Sequence, residues 1–251
     1  MRFFDCNTYV GLPMNPPPGQ PARPGVSAQE LLAAMDRAGI EKALVWHVAQ
    51  RDYDPLAGNE LLAEAIAGHD RLAGCWTLLP PQCRELGDLD EWLARAAAAG
   101  VRAFRAFGQE NRYLLRGEAL GDVLSRLAAG RRPLILSVGK EWQALYDLLG
   151  EFPELTVILA DLDCWGTDRY FRPLIERYPN VCVEISGYIL DGGIEAFVGD
   201  YGAGRMLFGS GFPAAYHGGM MLALAHAEIS EQDKQAIAAG NLDRLLGEVG
   251  P

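Results

Sequence analysis

The chain has 251 residues, 49% of them hydrophobic, and a formal net charge of -11. An acidic chain argues against a nucleic-acid binder, which needs a concentrated basic surface, and no apolar run reaches the 18 or so residues that span a bilayer. No basic segment precedes an apolar signal core, and the five cysteines (Cys6, Cys75, Cys83, Cys164, Cys182) form no paired metal spacing, so mostly buried, reduced thiols in a cytoplasmic protein are expected.

The first strand is read over Phe3 to Gly11, FFDCNTYVG. Asp5, Asn7 and Tyr9 alternate along it and are expected on one face at its C-terminal end. Leu12 to Pro24 is a Pro- and Gly-rich loop. Ser27 with Glu30 three residues on reads as a capping box, and Leu31, Leu32, Met35 and Ala38 follow at helical spacing before Gly39. Ala43 to Val48 is a buried strand carrying Trp46-His47. The alternation continues with a helix over 57–68, strand 72–76, a helix over 86–99, strand 101–107, a helix over 118–129 and strand 133–138. Helix 141–149, strand 156–160, helix 170–178, strand 181–185, helix 194–201 and strand 205–208 complete it, with a terminal helix over 230–246 broken near Gly240-Asn241.

Eight strand-then-helix units call for a parallel sheet with helical crossovers. A length near the ~250 residues typical of a barrel, with no Gly-rich dinucleotide fingerprint after the first strand, gives the expected fold: α/β, a single (β/α)8 TIM barrel over residues 1–251. Barrel enzymes place their chemistry at the C-terminal ends of the strands. The expected mouth therefore holds Asp5, Asn7 and Tyr9, then His47, Trp76, Thr77, Arg105 and Ser137. Asp161, Asp163, Glu184, Ser186, Ser210 and Gly211 follow from the later strands, with His217 on the rim.

These strands carry a resemblance. Asp5-Cys6-Asn7-Thr8-Tyr9-Val10-Gly11 is similar to the Asp-x-His-x-His-x-Gly strand of the amidohydrolase superfamily, specifically the amidohydrolase-related group of metal-dependent hydrolases and nonoxidative decarboxylases. Pro133 to Gly139 resembles that group's fifth strand and Val157 to Leu162 its sixth. Leu207 to Pro213 resembles its Phe-Gly-Ser-Asp-x-Pro signature, and the stretch from Asp233 to Leu246 its last helix. The resemblance implies a metal-dependent hydrolase frame with zinc as the family metal. At the implied ligand positions, however, Asn7 and Tyr9 replace the paired histidines, Ser137 and Asp161 the next two, and Gly211 the aspartate; Arg105 stands where a bridging lysine is sometimes found. Amide, phenol, hydroxyl and glycine do not supply the imidazole and carboxylate set that holds a hydrolytic zinc, so no cofactor is expected.

Arg105 is costly to bury without an anionic partner, and pairing with Asp161 near the family's metal position is expected, leaving it to hold a ligand carboxylate or phosphate. A structural ion pair is the plainer alternative. Asp161, Glu184 and His47 are the candidate acids and bases beside Arg105; an unusual metal site from Asp5, Asn7, Asp161 and Asp163 is the other catalytic route. Asn7, Tyr9, Trp76, Ser137, Asp163, Ser210 and His217 are candidate ligand contacts. The expected function is a divergent family member without the usual metal centre, binding a small anionic or polar molecule, with hydrolase or decarboxylase activity left open. The alternative is a noncatalytic binding or scaffolding protein. No nucleic acid or membrane partner is expected, and assembly as a homo-oligomer stays open.

Overall fold

Eight strands run in sequence order around one parallel sheet: β1 (Phe3–Val10), β2 (Ile40–His47), β3 (Leu72–Thr77), β4 (Val101–Arg105), β5 (Leu134–Ser137), β6 (Val157–Ala160), β7 (Val181–Glu184) and β8 (Met206–Leu207). The computed structural model describes residues 1–14, 22–137, 139, 141–162 and 166–250. Backbone bonds close the ring between its ends: the Cys6 N–H donates to the Phe208 carbonyl at 2.9 Å, and the Gly211 N–H to the Asn7 carbonyl at 3.0 Å. The result is the (β/α)8 barrel expected from the alternation.

The crossovers carry α1 (Ala28–Ala38), α2 (Ala49–Asp52), α3 (Pro55–Ile66), α4 (Leu89–Ala98), α5 (Gly117–Ala129), α6 (Trp142–Glu151), α7 (Asp168–Arg177) and α8 (Gly193–Tyr201). Local sequence explains their ends. Ser27 and Glu30 form the reciprocal capping box of α1, and Gly39 stops it with a left-handed φ of 76°. Asp54 and Asp88 cap α3 and α4. After β8 come α9 (His217–His226), α10 (Glu231–Gln235), a π-helical turn (Ala236–Gly240) and α11 (Asn241–Gly247). Two helices were not legible in the sequence, the short α2 and α9.

The core has two layers, set by the two-residue period of the strands. Leu44 and Trp46, Cys75, Ala103, Ile135, Ile158 and Ala160, Cys182 and Leu207 pack together inside the barrel. Their neighbours Ala43 and Val45, Trp76, Phe104, Leu134, Val157, Val183 and Met206 pack outward against the helices. Ala239, Leu242 and Leu245 from the terminal segment join the inner cluster. That segment lies at the strand-start end, where Asp243 pairs with Arg2 and, at 3.5 Å, with Lys42.

Strand β1 breaks the period. Asp5 pairs with Ala43 and Thr8 with Val45, so three steps on β1 oppose two on β2. Such a bulge re-aims the side chains beyond it. Phe4 and Cys6 face the barrel interior before it, and Tyr9 after it.

Candidate functional site

The bulge delivers Asn7 into a buried polar cluster at the C-terminal end of the barrel. Its Nδ2 donates toward Asp161 Oδ1 at 2.8 Å, Glu184 Oε1 at 3.1 Å and Ser186 Oγ at 3.2 Å, while its Oδ1 accepts from Arg105 Nη2 at 3.1 Å. This set fixes the amide: flipping it would turn its oxygen toward two carboxylates and its NH2 toward a guanidinium. Asp161 sits in the left-handed region (φ 55°), which Asp tolerates better than most residues. That turn aims its N–H at Glu184 Oε1 (2.7 Å) and leaves its carboxylate, 52% exposed, at the mouth with the Ser137 hydroxyl bonded to Oδ2.

Glu184 is fully buried on β7 and accepts from four donors: the Asn7 amide, the Asp161 N–H, and the Ser186 hydroxyl and N–H, the last two at 2.7 Å. Burial, and then the charge of Asp161, push its carboxyl up to about 7 against the lowering effect of those hydrogen bonds. Gly209 makes room for it. A Cβ there would lie 2.0 Å from Glu184 Oε2 and 3.2 Å from Asn7 Cβ, so the Phe-Gly-Ser-Gly segment needs glycine at this point for steric reasons.

Arg105 is the buried cation of the cluster, 1% exposed. Its Nη2 lies 3.8 Å from Asp161 Oδ2, an ion pair too long for a hydrogen bond. Its guanidinium carbon lies 5.1 Å from the Trp46 ring centroid and 5.9 Å from that of Phe107, within cation–π range. The buried Arg105 Nε and Trp46 Nε1 donors have no hydrogen-bond partner among the described residues. Asn7, Trp46, Phe107 and Asp161, the four groups around the guanidinium, all line a cavity of about 610 Å3 in the mouth. Tyr9 extends its aromatic wall, 5.3 Å from Trp46 between ring centroids, with its hydroxyl donating to the Pro24 carbonyl. Arg23 and Arg51 stand on the rim.

Not every candidate contact reaches this cavity. Asn7, Tyr9, Ser137 and Asp161 line it, and Arg105 and Glu184 stand buried behind them, each hydrogen-bonded to Asn7. His47 and Trp76 require correction, because each has the outward parity of its strand. His47 follows the inward Trp46 and lies against Gly11 in a separate pocket beside α1 and α3, its Nδ1 accepting from the Ala49 N–H. Burial lowers its pKa. Trp76 packs on Trp92 of α4 at 5.9 Å, between sheet and helices.

Ser210 and His217 are likewise placed elsewhere. The Ser210 N–H donates to Asp5 Oδ1 at 3.0 Å and its Oγ accepts from the Phe212 N–H, so it shapes the turn after β8. His217 is buried on α9, stacked on Phe212, with Nε2 3.7 Å from Asp5 Oδ2. Asp5 itself precedes the bulge and is turned away from the mouth, which removes it from any site shared with Asp161. Asp163, with Cys164, Trp165 and the Pro16 to Gly19 stretch, lies outside the described residues. Ser186, expected at the mouth, joins the cluster through Asn7 and Glu184; Gly209 and the two rim arginines belong to the site but were not among the expected residues. For Gly209 the signal was present in the signature segment.

A zinc ion of the kind the resemblance implies does not fit these donors. Among the described residues no three or more His, Cys, Asp or Glu side chains gather as a metal-holding group. The neutral oxygen of Asn7 is taken by Arg105, its NH2 faces the carboxylates, and a fixed cation stands beside Asp161.

Comparison with known proteins places this geometry in context. The amidohydrolase family model matches residues 6–247. No curated protein matches the chain. Among solved structures, an uncharacterised TIM-barrel protein from Bordetella bronchiseptica is similar over 100% of both chains at 17% identity, with a TM-score of 0.73. A 2,6-dihydroxybenzoate decarboxylase from Rhizobium covers 98% of each chain at 17% identity and TM-score 0.72. A candidate 2-pyrone-4,6-dicarboxylic acid hydrolase from Pseudomonas putida covers 98% of each at 18% and 0.73. At these identities the likeness carries the fold.

Proposed function

We propose, from the premise that this chain belongs to the amidohydrolase family, that it binds a small carboxylate in the barrel mouth with the Arg105 guanidinium in place of a metal ion as the positive charge. The observation that carries this reading is the state of Arg105: buried, with an Nε unpartnered among the described residues, one hydrogen bond to a neutral amide and a loose 3.8 Å pairing to Asp161. A buried guanidinium is matched best by two close parallel bonds to a carboxylate. A ligand carboxylate displacing Asp161 from Nη2 supplies that match, with the Ser137 hydroxyl, freed at the same step, as a second donor. The aromatic wall of Tyr9, Trp46 and Phe107 favours a flat acid, and two of the similar structures are named for acids of that shape, dihydroxybenzoate and a pyrone dicarboxylate.

Titration calorimetry with benzoate tests it. Arg105→Met is expected to weaken binding about 10- to 100-fold, the range for a charge-assisted hydrogen bond, and Arg105→Lys to recover part of it. Equal benzoate affinity in folded Arg105→Met protein overturns the reading.

A second reading adds metal-free decarboxylation or hydrolysis. It is favoured by the exposed Asp161 carboxylate with Glu184, raised to about 7, directly behind it. In that reading Asp161 moves a proton at the reacting carbon, and Asp161→Asn abolishes turnover of hydroxybenzoates while leaving their binding in place. Binding without turnover at any pH from 5 to 9 leaves the noncatalytic function.

A further inference from the structure

A second recess of different character borders the mouth cavity. Gly139, just beyond Ser137, lines both the mouth and a neighbouring recess of about 530 Å3 whose other described walls are Trp142, Gln143, Tyr146 and Tyr170. None of those five residues is charged, whereas the mouth carries arginines and carboxylates. Trp142 is the first residue of α6 and Tyr170 the third of α7. In a barrel of this kind the helix starts lie at the C-terminal face, so both rings stand at the rim, outboard of Ser137 and Asp161.

The rings form a rigid platform. Trp142 and Tyr170 stack with centroids 5.1 Å apart and planes 10° from parallel. The Tyr146 hydroxyl donates to the Tyr170 carbonyl at 2.7 Å and ties α6 to α7 beneath them. Tyr170 is nevertheless 52% exposed. A preformed aromatic surface that remains open gains affinity at low ordering cost.

We propose that the mouth ligand is bipartite. Its carboxylate end occupies the Arg105 site, and an uncharged, flat portion passes Gly139 and lies on the Trp142–Tyr170 platform. This inference rests on the proposed carboxylate site. Gly139 sits at φ +53°, and among the described residues nothing lies within 4 Å of where a Cβ would be.

The test titrates the full chain with benzoate, which has a head only, and with ω-phenylalkanoates from phenylacetate to 6-phenylhexanoate. At one chain length the affinity is expected to exceed that for benzoate about tenfold, the size of one aromatic stacking contact. Trp142→Ala and Tyr170→Ala are expected to reduce that gain to within about twofold and to leave benzoate binding unchanged. Gly139→Asn, a residue that tolerates the left-handed backbone, is expected to reduce the gain as well by narrowing the passage. Circular dichroism confirms that each variant is folded. If benzoate binds but no chain length improves on it, or if the gain survives in all three variants, the bipartite ligand is wrong while the carboxylate site stands. If neither benzoate nor any phenylalkanoate binds, the carboxylate site fails and this inference with it.

Discussion

Asp5 carries two oxygens with different fates. Oδ1 accepts from the N–H groups of Asn7 (3.1 Å) and Ser210 (3.0 Å), and so ties the bulge of β1 to the turn after β8. Oδ2 is buried with no hydrogen-bond partner among the described residues, 3.7 Å from His217 Nε2, which likewise has none. Burial raises the Asp5 carboxyl from 3.8 to about 6, against the bonds from Ser210 and Asn7. Burial, with a contribution from Arg37, lowers His217 from 6.5 to about 4. The folded chain therefore holds more protons at Asp5 than the unfolded chain between pH 3.8 and about 6, and stability falls as pH rises through that window. At His217 the unfolded chain holds more protons between about 4 and 6.5, and stability falls as pH drops. Each effect is on the order of 3 kcal/mol and the two offset. Urea unfolding from pH 4 to 6.5 is expected to separate them. Relative to wild type, Asp5→Asn gains on the order of 3 kcal/mol as pH rises, and His217→Gln loses a similar amount. Variants whose pH dependence runs parallel to wild type refute this account.

At the scale of the strand, parity decides which side chains reach the mouth. Trp76 is the clearest case: it ends an apolar strand, as a mouth residue would, yet Cys75 holds the inward position and Trp76 packs on Trp92. Trp76→Ala is expected to cost about 3–5 kcal/mol in chemical denaturation, while carboxylate affinity in the folded variant stays within about twofold. A large loss of affinity at unchanged stability contradicts that assignment. The same parity argument was available from the sequence for His47, since Trp46 and His47 cannot both point inward on a regular strand. It was not available for β1. The bulge depends on how many residues of β1 oppose β2, a long-range pairing that Asp5-Cys6-Asn7 alone does not encode. Asn7 and Tyr9 reach the mouth because of the bulge, and Asp5, expected beside them, does not.

Over the whole molecule, the ring order and the seven crossovers were legible because each strand and, α2 and α9 apart, each helix announces itself locally, and the family resemblance runs through nearly the full chain. The cluster was legible only in part. Its members come from β1, β4, β5, β7 and the turn after β6, with Asn7 separated from Arg105 by 98 residues and from Glu184 by 177. The pairing of Arg105 with Asp161 was expected from charge. The intervening Asn7, bonded to both sides, was not, because nothing local sets the orientation of an amide. The mismatch between these donors and zinc gives a further expectation: dialysis against a chelator, then addition of zinc, leaves both the unfolding midpoint and benzoate affinity unchanged. A zinc-dependent rise in midpoint of more than about 4 °C, equivalent to roughly 1–2 kcal/mol at this size, contradicts it.

Arg105 brings one consequence at the level of the living cell. Its guanidinium is made in the same act of translation as the barrel around it. If the proposed carboxylate site holds, the charge that meets the anion is set by the gene alone: it would draw on no trace-element supply, face no competition from copper, and wait for no loading step.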